Sequence, residues 1–139
     1  MERGLVLLLD TNIWLERLLG QAQSATVGRL LDAIPSDQLM MSNFTLHSLG
    51  VILNRLGHRA VLLPFVQDVL IDGAVALVSL PPVAMYRVIA VMEQYGLDFD
   101  DAYQYVAAER EDAVMVSFDG HFDQTPRGRQ TPAQVLTSH

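Results

Sequence analysis

The chain has 139 residues, of which 50% are apolar and 18% charged, a composition that supports a buried core and excludes a disordered or tail-like protein. It contains no cysteine, which excludes disulfide frameworks, thiolate metal sites and cysteine nucleophiles. Nine basic residues, all of them arginine, stand against 16 acidic residues, and the net charge of −7 gives no general attraction for nucleic acid. A polyanionic substrate would need another source of positive charge, such as a bound cation.

The length predicts a single domain over residues 1–139, because domains usually hold roughly 100 to 200 residues. No stretch approaches the roughly 18 consecutive apolar residues that cross a bilayer. The apolar run at residues 5–9 is too short for a signal-peptide core and has no cleavage pattern behind it. The sequence therefore predicts a soluble, cytoplasmic protein that does not associate with a membrane.

The predicted elements alternate strands with helices. Short, continuous apolar runs predict strands that are covered on both faces, as in a parallel sheet. Apolar residues at helical spacing, bounded by Ser or Asp caps and by Gly or Pro, predict the helices. In chain order the predictions are a strand at 5–9, helices at 13–20 and 24–34, a strand at 39–41, helices at 43–56 and 59–71, a strand at 74–80, a helix at 81–95, a helix capped at 98 or 100 that runs through 108, a strand at 113–116 and a short strand near 135–136. This alternation indicates an α/β domain with a mainly parallel sheet.

Three aspartates fall where the predicted strands end or a helix begins. Asp10 follows the first strand directly, Asp119 follows the strand at 113–116, and Asp101 begins a helix. Because ligands bind outside the carboxyl ends of parallel strands, we expect these side chains to converge on one edge of the sheet. Taken singly, each has an ordinary explanation as a helix cap or a turn residue.

Crowded carboxylates repel one another unless a positive charge lies between them. Mg²⁺ or Mn²⁺, which prefer oxygen ligands, are the cations that suit such a cluster. The chemistry that this kind of site supports is metal-assisted hydrolysis of a phosphodiester, because the metal polarises a phosphoryl oxygen and lowers the pKa of a bound water. A metal would also let an anionic substrate approach an acidic protein.

Four short segments, in this order, extend over nearly the whole chain: LLLDTNIW at 7–14, SNFTLHSL at 42–49, DA at 101–102 followed by AA at 107–108, and VSFDGHF at 116–122. Together they resemble the PIN-domain ribonucleases, and especially the VapC-type toxins of bacterial toxin–antitoxin pairs. The resemblance implies a PIN-like three-layer α/β/α domain with a central, mainly parallel sheet. It also implies a metal-dependent endoribonuclease that hydrolyses RNA phosphodiesters, as the toxin of a type II toxin–antitoxin system.

Carried over residue by residue, the resemblance makes Asp10, Asp101 and Asp119 the catalytic carboxylates that bind Mg²⁺ or Mn²⁺. Asn12 is similar to the polar residue that supports the first of them, and Ser117 to a hydroxyl that lines the same pocket. Local hydrogen bonding at a helix start or a strand end would explain Asn12 and Ser117 equally well.

Ser48 departs from the family pattern, which places a glutamate at this position. A serine hydroxyl is short and neutral, so the site loses one of four expected negative charges. Either Ser48 binds through a metal-coordinated water while Asp98 or Asp100 supplies the missing charge, or the protein is a weakened or inactive nuclease. His47 is not a substitute, because on a helix it points about 100° away from Ser48, and we expect it at the surface.

Arg127 and Arg129 follow Asp119 in the polar C-terminal segment and are the candidate contacts to RNA phosphates, with a solvated loop as the alternative. Arg55 and Arg59 flank a predicted turn between helices, where we expect a surface role. The resemblance further implies a homodimer or higher homo-oligomer and a cognate antitoxin, for which an acidic toxin is a reasonable match.

Two other classes of protein compete with this interpretation. A catalytically silent PIN-like binding or assembly module is favoured by Ser48 and by the low basic content. A phospho-acceptor receiver-like domain also gathers aspartates at strand ends, but such domains use a lysine late in the chain, and this chain has none.

Overall fold

The computed structural model describes residues 4–139, so residues 1–3 of the expected 1–139 domain lie outside the described part. The described residues form a central sheet of four strands, all paired in parallel. The strands are β1 (Leu7–Leu9), β2 (Leu39–Ser42), β3 (Ala76–Val78) and β4 (Val114–Val116). Across the sheet their order is β3, β2, β1, β4.

Helices connect the strands and cover both faces of the sheet. They are α1 (Thr11–Leu18), α2 (Ser24–Ala33), α3 (Asn43–Arg55), α4 (Leu62–Val66), α5 (Met85–Tyr95), α6 (Phe99–Glu111) and α7 (Pro132–Ser138). Within the described part of the chain, no helix combines the length and the apolar character that a bilayer crossing requires.

Successive residues of β1 point to opposite faces and divide the core in two. Leu7 and Leu9 belong to a cluster that contains Leu49 of α3 and other residues of α1 to α4. Leu8 belongs to a second cluster, which includes Val88 of α5 and neighbouring side chains of α6. This alternation follows from the period of two residues along a strand. The predicted three-layer α/β/α architecture with a parallel sheet is thereby confirmed.

The strand predicted near residues 135–136 is wrong, because this segment is helix α7. Its first turn carries a complete capping box, in which the Thr131 side chain accepts a hydrogen bond from the Gln134 backbone and the Gln134 side chain accepts one from the Thr131 backbone. Pro132 adds a backbone angle suited to a helix start. The capping box and the proline at the first helical position together outweigh the strand preference of Val135.

The helix predicted at 59–71 is interrupted. A 3₁₀ turn at Arg59–Val61 precedes α4, and a π-helical turn at Gln67–Ile71 follows it. Pro64 lies in the first turn of α4, where the missing N–H of proline leaves no hydrogen bond unmade. The α-helix therefore begins close to Pro64 rather than at Arg59.

The strand order places the carboxyl ends of β1 and β4 side by side. From β1 the chain proceeds to β2 on one side, and it returns to the other side of β1 only with β4. Such a reversal of direction opens a crevice at the carboxyl edge, where α/β proteins bind ligands. Asp10 follows β1 and Asp119 lies three residues beyond β4, so both border this crevice.

A substitution at Leu49 tests how α3 packs on the sheet. The Leu49 side chain is fully buried in the core cluster that contains Leu7 and Leu9. We expect Leu49→Ala to lower the free energy of unfolding by about 2–5 kcal/mol, because it removes buried methyl groups and leaves a cavity. Leu63→Ala on α4, where the leucine is 77% exposed, should change it by less than about 0.5 kcal/mol. Urea denaturation measures both, and equal losses in the two variants would contradict the packing described above.

Candidate metal centre

Asp10 connects three elements through its buried carboxylate, which is 7% exposed. Its Oδ1 accepts hydrogen bonds from the Thr11 backbone N–H at 2.8 Å and from the Gln104 side chain at 3.0 Å. Its Oδ2 accepts one from the Ser117 hydroxyl at 2.7 Å. Asp10 is therefore the N-cap of α1, as its position between strand and helix suggests, and is also tied to α6 and to the end of β4.

Burial raises the pKa of Asp10 above its ordinary value. Hydrogen bonds from Gln104, Ser117 and Thr11 oppose this shift, whereas the negative charge of Asp119 adds to it. A carboxylate offers about four lone-pair sites, and the hydrogen bonds to Asp10 use three of them, two on Oδ1 and one on Oδ2. One site on Oδ2 is left for a further ligand.

Ser117 and Asn12 join the end of β4 to the start of α1. The fully buried Ser117 hydroxyl accepts hydrogen bonds from the Asp119 backbone N–H at 2.9 Å and from the Asn12 side chain at 3.2 Å, while donating to Asp10. Asn12 Oδ1 accepts from the backbone N–H of Phe118 at 3.2 Å. Both residues thus orient the aspartates, and Ser117 lies behind Asp10 rather than in the wall of the cavity described below.

Asp101 and Asp119 meet at the imidazole of His121. Nδ1 of His121 lies 3.2 Å from Asp101 Oδ2 and 3.2 Å from Asp119 Oδ1. Ligand atoms of the three side chains all lie within 4.8 Å of one another. Asp101 comes from the first turn of α6. His121 lies in the 3₁₀ helix at Gly120–Gln124 after β4, and Asp119 is the N-cap of that helix. Residues far apart in the sequence are thereby brought into one cluster.

Partial burial raises the pKa of Asp101 to about 6. The hydrogen bond to His121 opposes this rise, and the charges of Asp119, Asp98 and Asp10 reinforce it. The same contacts raise the pKa of His121, chiefly through its hydrogen bond with Asp101. The negative charge of the aspartates is therefore only partly compensated by the protein.

A cavity of about 270 Å³ opens over these carboxylates. Asp10, Asp101 and Asp119 line it together, and Ser48 lines it from α3. Phe44, Leu15 and Ile52 supply apolar wall, and the other lining residues are Thr11, Asn12, Asp100 and Gln104. All three aspartates that the sequence singled out thus border one cavity.

The two additional acidic candidates differ in position. Asp100 lines the cavity and is exposed. Asp98 is the N-cap of α6, and its Oδ1 accepts the Asp101 backbone N–H at 2.9 Å. Asp100 is therefore better placed than Asp98 to compensate for the charge that Ser48 lacks. His47 is exposed, as expected from its position on α3.

Sequence reasoning missed Gln104, which is 1% exposed and holds the deepest part of the site together. Its amide donates to Asp10 and, at 2.7 Å, to the Thr45 hydroxyl, while its carbonyl oxygen accepts from the Ser42 hydroxyl. A glutamine three residues after Asp101, within an otherwise apolar stripe of α6, was the available signal. His121 was also missed as a partner of the aspartates, although it lies within the last family-like segment.

The structure separates Arg127 from the cavity. Its guanidinium donates to the backbone oxygen of Ala113 at 3.0 Å, just before β4 begins and therefore at the amino-terminal end of the parallel strands, away from the carboxyl edge. Arg129 is nearer, since it donates to Ser117 O at 3.0 Å and pairs with Asp123 at 3.1 Å. Both side chains have protein partners in this structure.

The donor set fits a hard divalent cation. Its core is Asp101, Asp119 and His121, whose ligand atoms all lie within 4.8 Å of one another. Asp10, which keeps one lone-pair site on Oδ2, borders the same cavity as Asp101 and Asp119. Carboxylate oxygens suit Mg²⁺ and Mn²⁺, and imidazole is also acceptable to Mn²⁺. Burial is the main cause of the raised pKa of both Asp10 and Asp101, and the charge of Asp119 adds to it, so a cation bound beside them would favour their ionised forms.

Comparison with family models finds a match to the PIN domain over residues 7–128. The chain belongs to the PIN domain family. The match includes the ends of β1 and β4 and the whole of α6, and therefore every aspartate of the cavity. Comparison with curated proteins finds no match.

Solved structures support the same fold for this PIN domain. A toxin–antitoxin complex from Klebsiella pneumoniae is 21% identical, with a TM-score of 0.72, and the match covers 90% of this chain and 96% of that one. VapC20 of Mycobacterium tuberculosis, described as a Sarcin-Ricin loop cleaving toxin, is 18% identical, with a TM-score of 0.70 and coverage of 82% and 90%. VapBC2 from Rickettsia felis, bound to a DNA fragment from the promoter, is 15% identical, with a TM-score of 0.70 and coverage of 91% and 97%. At these identities the likeness establishes the fold.

The burial of Asp101, reinforced by the neighbouring aspartates, predicts a pH-dependent loss of stability. Since its folded pKa is about 6 and its ordinary value 3.8, the wild type loses stability as the pH rises from about 4 to about 6. In metal-free protein with EDTA, Asp101→Asn should therefore have a higher Tm than the wild type at about pH 7.5, and this gain should vanish at about pH 4.

The matched control is Asp32→Asn, which removes one exposed negative charge from α2. It should alter Tm little at either pH. A gain for Asp101→Asn that is the same at both pH values would show that the charge of Asp101 does not cause it.

Proposed function

We propose that this PIN domain is a Mg²⁺- or Mn²⁺-dependent endoribonuclease and the toxin component of a type II toxin–antitoxin system. The observation that carries the proposal is the convergence of Asp10, Asp101 and Asp119 on one cavity at the carboxyl edge of the sheet. Similar solved structures support the toxin assignment, since they include a toxin–antitoxin complex and a toxin described as cleaving the Sarcin-Ricin loop.

Each residue of the site has a defined task in this proposal. Asp10, Asp101 and Asp119 would hold the cation, with His121 beside the last two. A divalent cation bound there would supply Lewis acidity, polarising a phosphoryl oxygen and lowering the pKa of a water positioned for in-line attack. Ser117 and Gln104 hold the Asp10 carboxylate in one orientation, and their hydrogen bonds favour its ionised form. Asn12 ties α1 to the loop that carries Asp119.

The partners follow from the same proposal. The substrate is RNA, and Arg129, which lies next to Ser117, is a closer candidate for a phosphate contact than Arg127. The regulator is a cognate antitoxin that places a basic side chain among the aspartates, and the toxin pairs with itself as a homodimer or higher homo-oligomer. Such a toxin would act in the cytoplasm, where its RNA substrate is present.

Ser48 favours a second candidate, a catalytically silent PIN-like module that binds or assembles without cleaving. Its side chain lines the cavity at the position where the family pattern has glutamate. A neutral hydroxyl there weakens cation binding and provides no carboxylate to orient a water. Exposed Asp100, also in the cavity wall, is the residue that would compensate if the enzyme is active.

Cleavage of mixed-sequence RNA in Mn²⁺ or Mg²⁺ tests the first proposal. We expect Asp10→Asn and Asp119→Asn each to reduce the cleavage rate by more than about 100-fold, because losing groups that merely orient a metal ligand already costs about 10–100-fold. Ser117→Ala should fall within that smaller range. EDTA should abolish cleavage, and Asp32→Asn should leave it unchanged. Cleavage that persists in Asp10→Asn or in EDTA would refute the proposed enzyme.

Ser48→Glu separates the two candidates. If the wild type cleaves RNA with a divalent cation, the enzyme proposal stands and the silent module is excluded. If the wild type is inactive and Ser48→Glu cleaves, the natural protein is a silenced member of the family. His47→Glu, one position away on the exposed face of α3, is the matched control and should not confer activity.

A further inference from the structure

A groove lies along α3, beside the cavity lined by Asp10, Asp101 and Asp119, which we call the carboxylate cavity. Its volume is about 560 Å³, and its polar lining comes from His47, Asn54, Arg55 and Arg59. None of the described residues that line this groove is acidic, although the chain has 16 acidic residues. Two arginines in a groove without carboxylates make this a positively charged surface on an acidic protein. We refer to it as the α3 groove.

The other described arginines are mostly engaged. Arg87, Arg127 and Arg129 form ion pairs with Glu109, Asp112 and Asp123. Arg17 and Arg29 donate hydrogen bonds to Ser24 and Thr26. Among residues 4–139, the arginines that have neither a hydrogen bond nor an ion pair are Arg55, Arg59 and Arg110.

Arg55 and Arg59 are therefore exposed guanidinium groups without an acidic partner, and they line the same groove. Arg110 lies at the C-terminal end of α6, nine residues after Asp101 and hence about 14 Å along the helix from it. Of the three arginines within residues 4–139 that lack a partner, two therefore line the groove beside α3.

The α3 groove and the carboxylate cavity share one helix. Ser48 and Ile52 line the cavity, and the adjacent Val51 and Arg55 line the groove. Arg55 follows Ser48 by seven residues, close to two turns, so the two lie on nearly the same side of α3 about 10 Å apart along its axis. A chain molecule bound in the cavity can therefore continue directly into the groove.

We propose that the α3 groove binds the phosphate backbone of single-stranded RNA on its way to the carboxylate cavity, with Arg55 and Arg59 as the phosphate contacts. This inference rests on the proposed ribonuclease function and names the surface that holds its substrate. Guanidinium groups suit phosphate because they donate several parallel hydrogen bonds from a planar, permanently charged fork. His47 and Asn54 add polar side chains of the kind that contact phosphate and sugar.

The charge distribution favours a polyanion over an apolar partner. The protein as a whole repels RNA, so binding needs local positive charge as well as a metal at the carboxylates. The α3 groove supplies this charge at the mouth of the site. Arg55 and Arg59 are also better placed to contact RNA phosphates than Arg127, whose guanidinium lies at the amino-terminal end of β4.

The salt dependence of RNA binding tests this role. The probe is a fluorescein-labelled single-stranded RNA of mixed sequence, about 12 nucleotides long, bound in Mg²⁺ to an Asp119→Asn background so that it stays intact. Fluorescence anisotropy gives Kd over a range of salt concentrations. Each phosphate contact to a single strand contributes about 0.7 to the slope of log affinity against log salt. We expect Arg55→Gln and Arg59→Gln each to reduce the magnitude of this slope by about 0.7, and the double variant to reduce it by about 1.4.

Two matched variants isolate the charge and its position. Arg55→Lys/Arg59→Lys keeps both charges and should retain the slope. Arg110→Gln removes an equally exposed arginine elsewhere and should also leave the slope unchanged. Circular dichroism and Tm establish that each variant is folded.

The outcomes distinguish this inference from the ribonuclease proposal. If the Arg55→Gln/Arg59→Gln variant is folded and keeps the salt slope and RNA affinity of the Asp119→Asn parent, the α3 groove does not bind RNA, even if the wild type cleaves it. A smaller salt slope of RNA binding in that variant would support RNA binding by the α3 groove, even if the wild type proves inactive as a nuclease. If polyglutamate binds through these arginines whereas RNA does not, the groove is a docking site for an acidic protein and the inference is wrong.

Discussion

The buried carboxylate of Asp10 is the constraint on which the arrangement of this site depends. A charged group with 7% exposure costs free energy unless the protein replaces the lost water with hydrogen bonds. Three elements supply them: the first turn of α1 through Thr11, the loop after β4 through Ser117, and α6 through Gln104. Satisfying Asp10 therefore also fixes the positions from which Asp101 and Asp119 reach the cavity. Fold stability and site geometry are coupled through one side chain.

The distribution of charge resolves the apparent conflict between an acidic chain and a polyanionic substrate. Three aspartates border one cavity, where their negative charges favour the binding of a cation. Partial burial, reinforced by the neighbouring aspartates, raises the pKa of Asp101 to about 6. Most described arginines are used within the fold, but Arg55 and Arg59 leave a positive groove beside the cavity. On the proposed function, the metal attracts the phosphate that reacts and the α3 groove holds its neighbours.

The sequence predicted the sheet, most helices and the three aspartates, because strand ends and helix caps are local signals and a parallel sheet brings its carboxyl ends together. It failed where the decisive interaction is not local. Gln104 becomes part of the site only when α6 packs against the end of β1. Arg127 is close to Asp119 in the sequence, but its guanidinium donates to Ala113, just before β4 begins. The C-terminal strand was wrong for a local reason, since the capping box at Thr131 was overlooked.

Direct measurement of Mn²⁺ binding tests the central claim, that these aspartates form a divalent-metal site. Electron paramagnetic resonance distinguishes free from bound Mn²⁺ during a titration and does not depend on catalytic activity. The account predicts saturable binding by the wild type, at least about 10-fold weaker binding by Asp10→Asn, and unchanged binding by Asp32→Asn. Wild-type protein that binds no Mn²⁺, or Asp10→Asn that binds it as tightly as the wild type, would contradict the account.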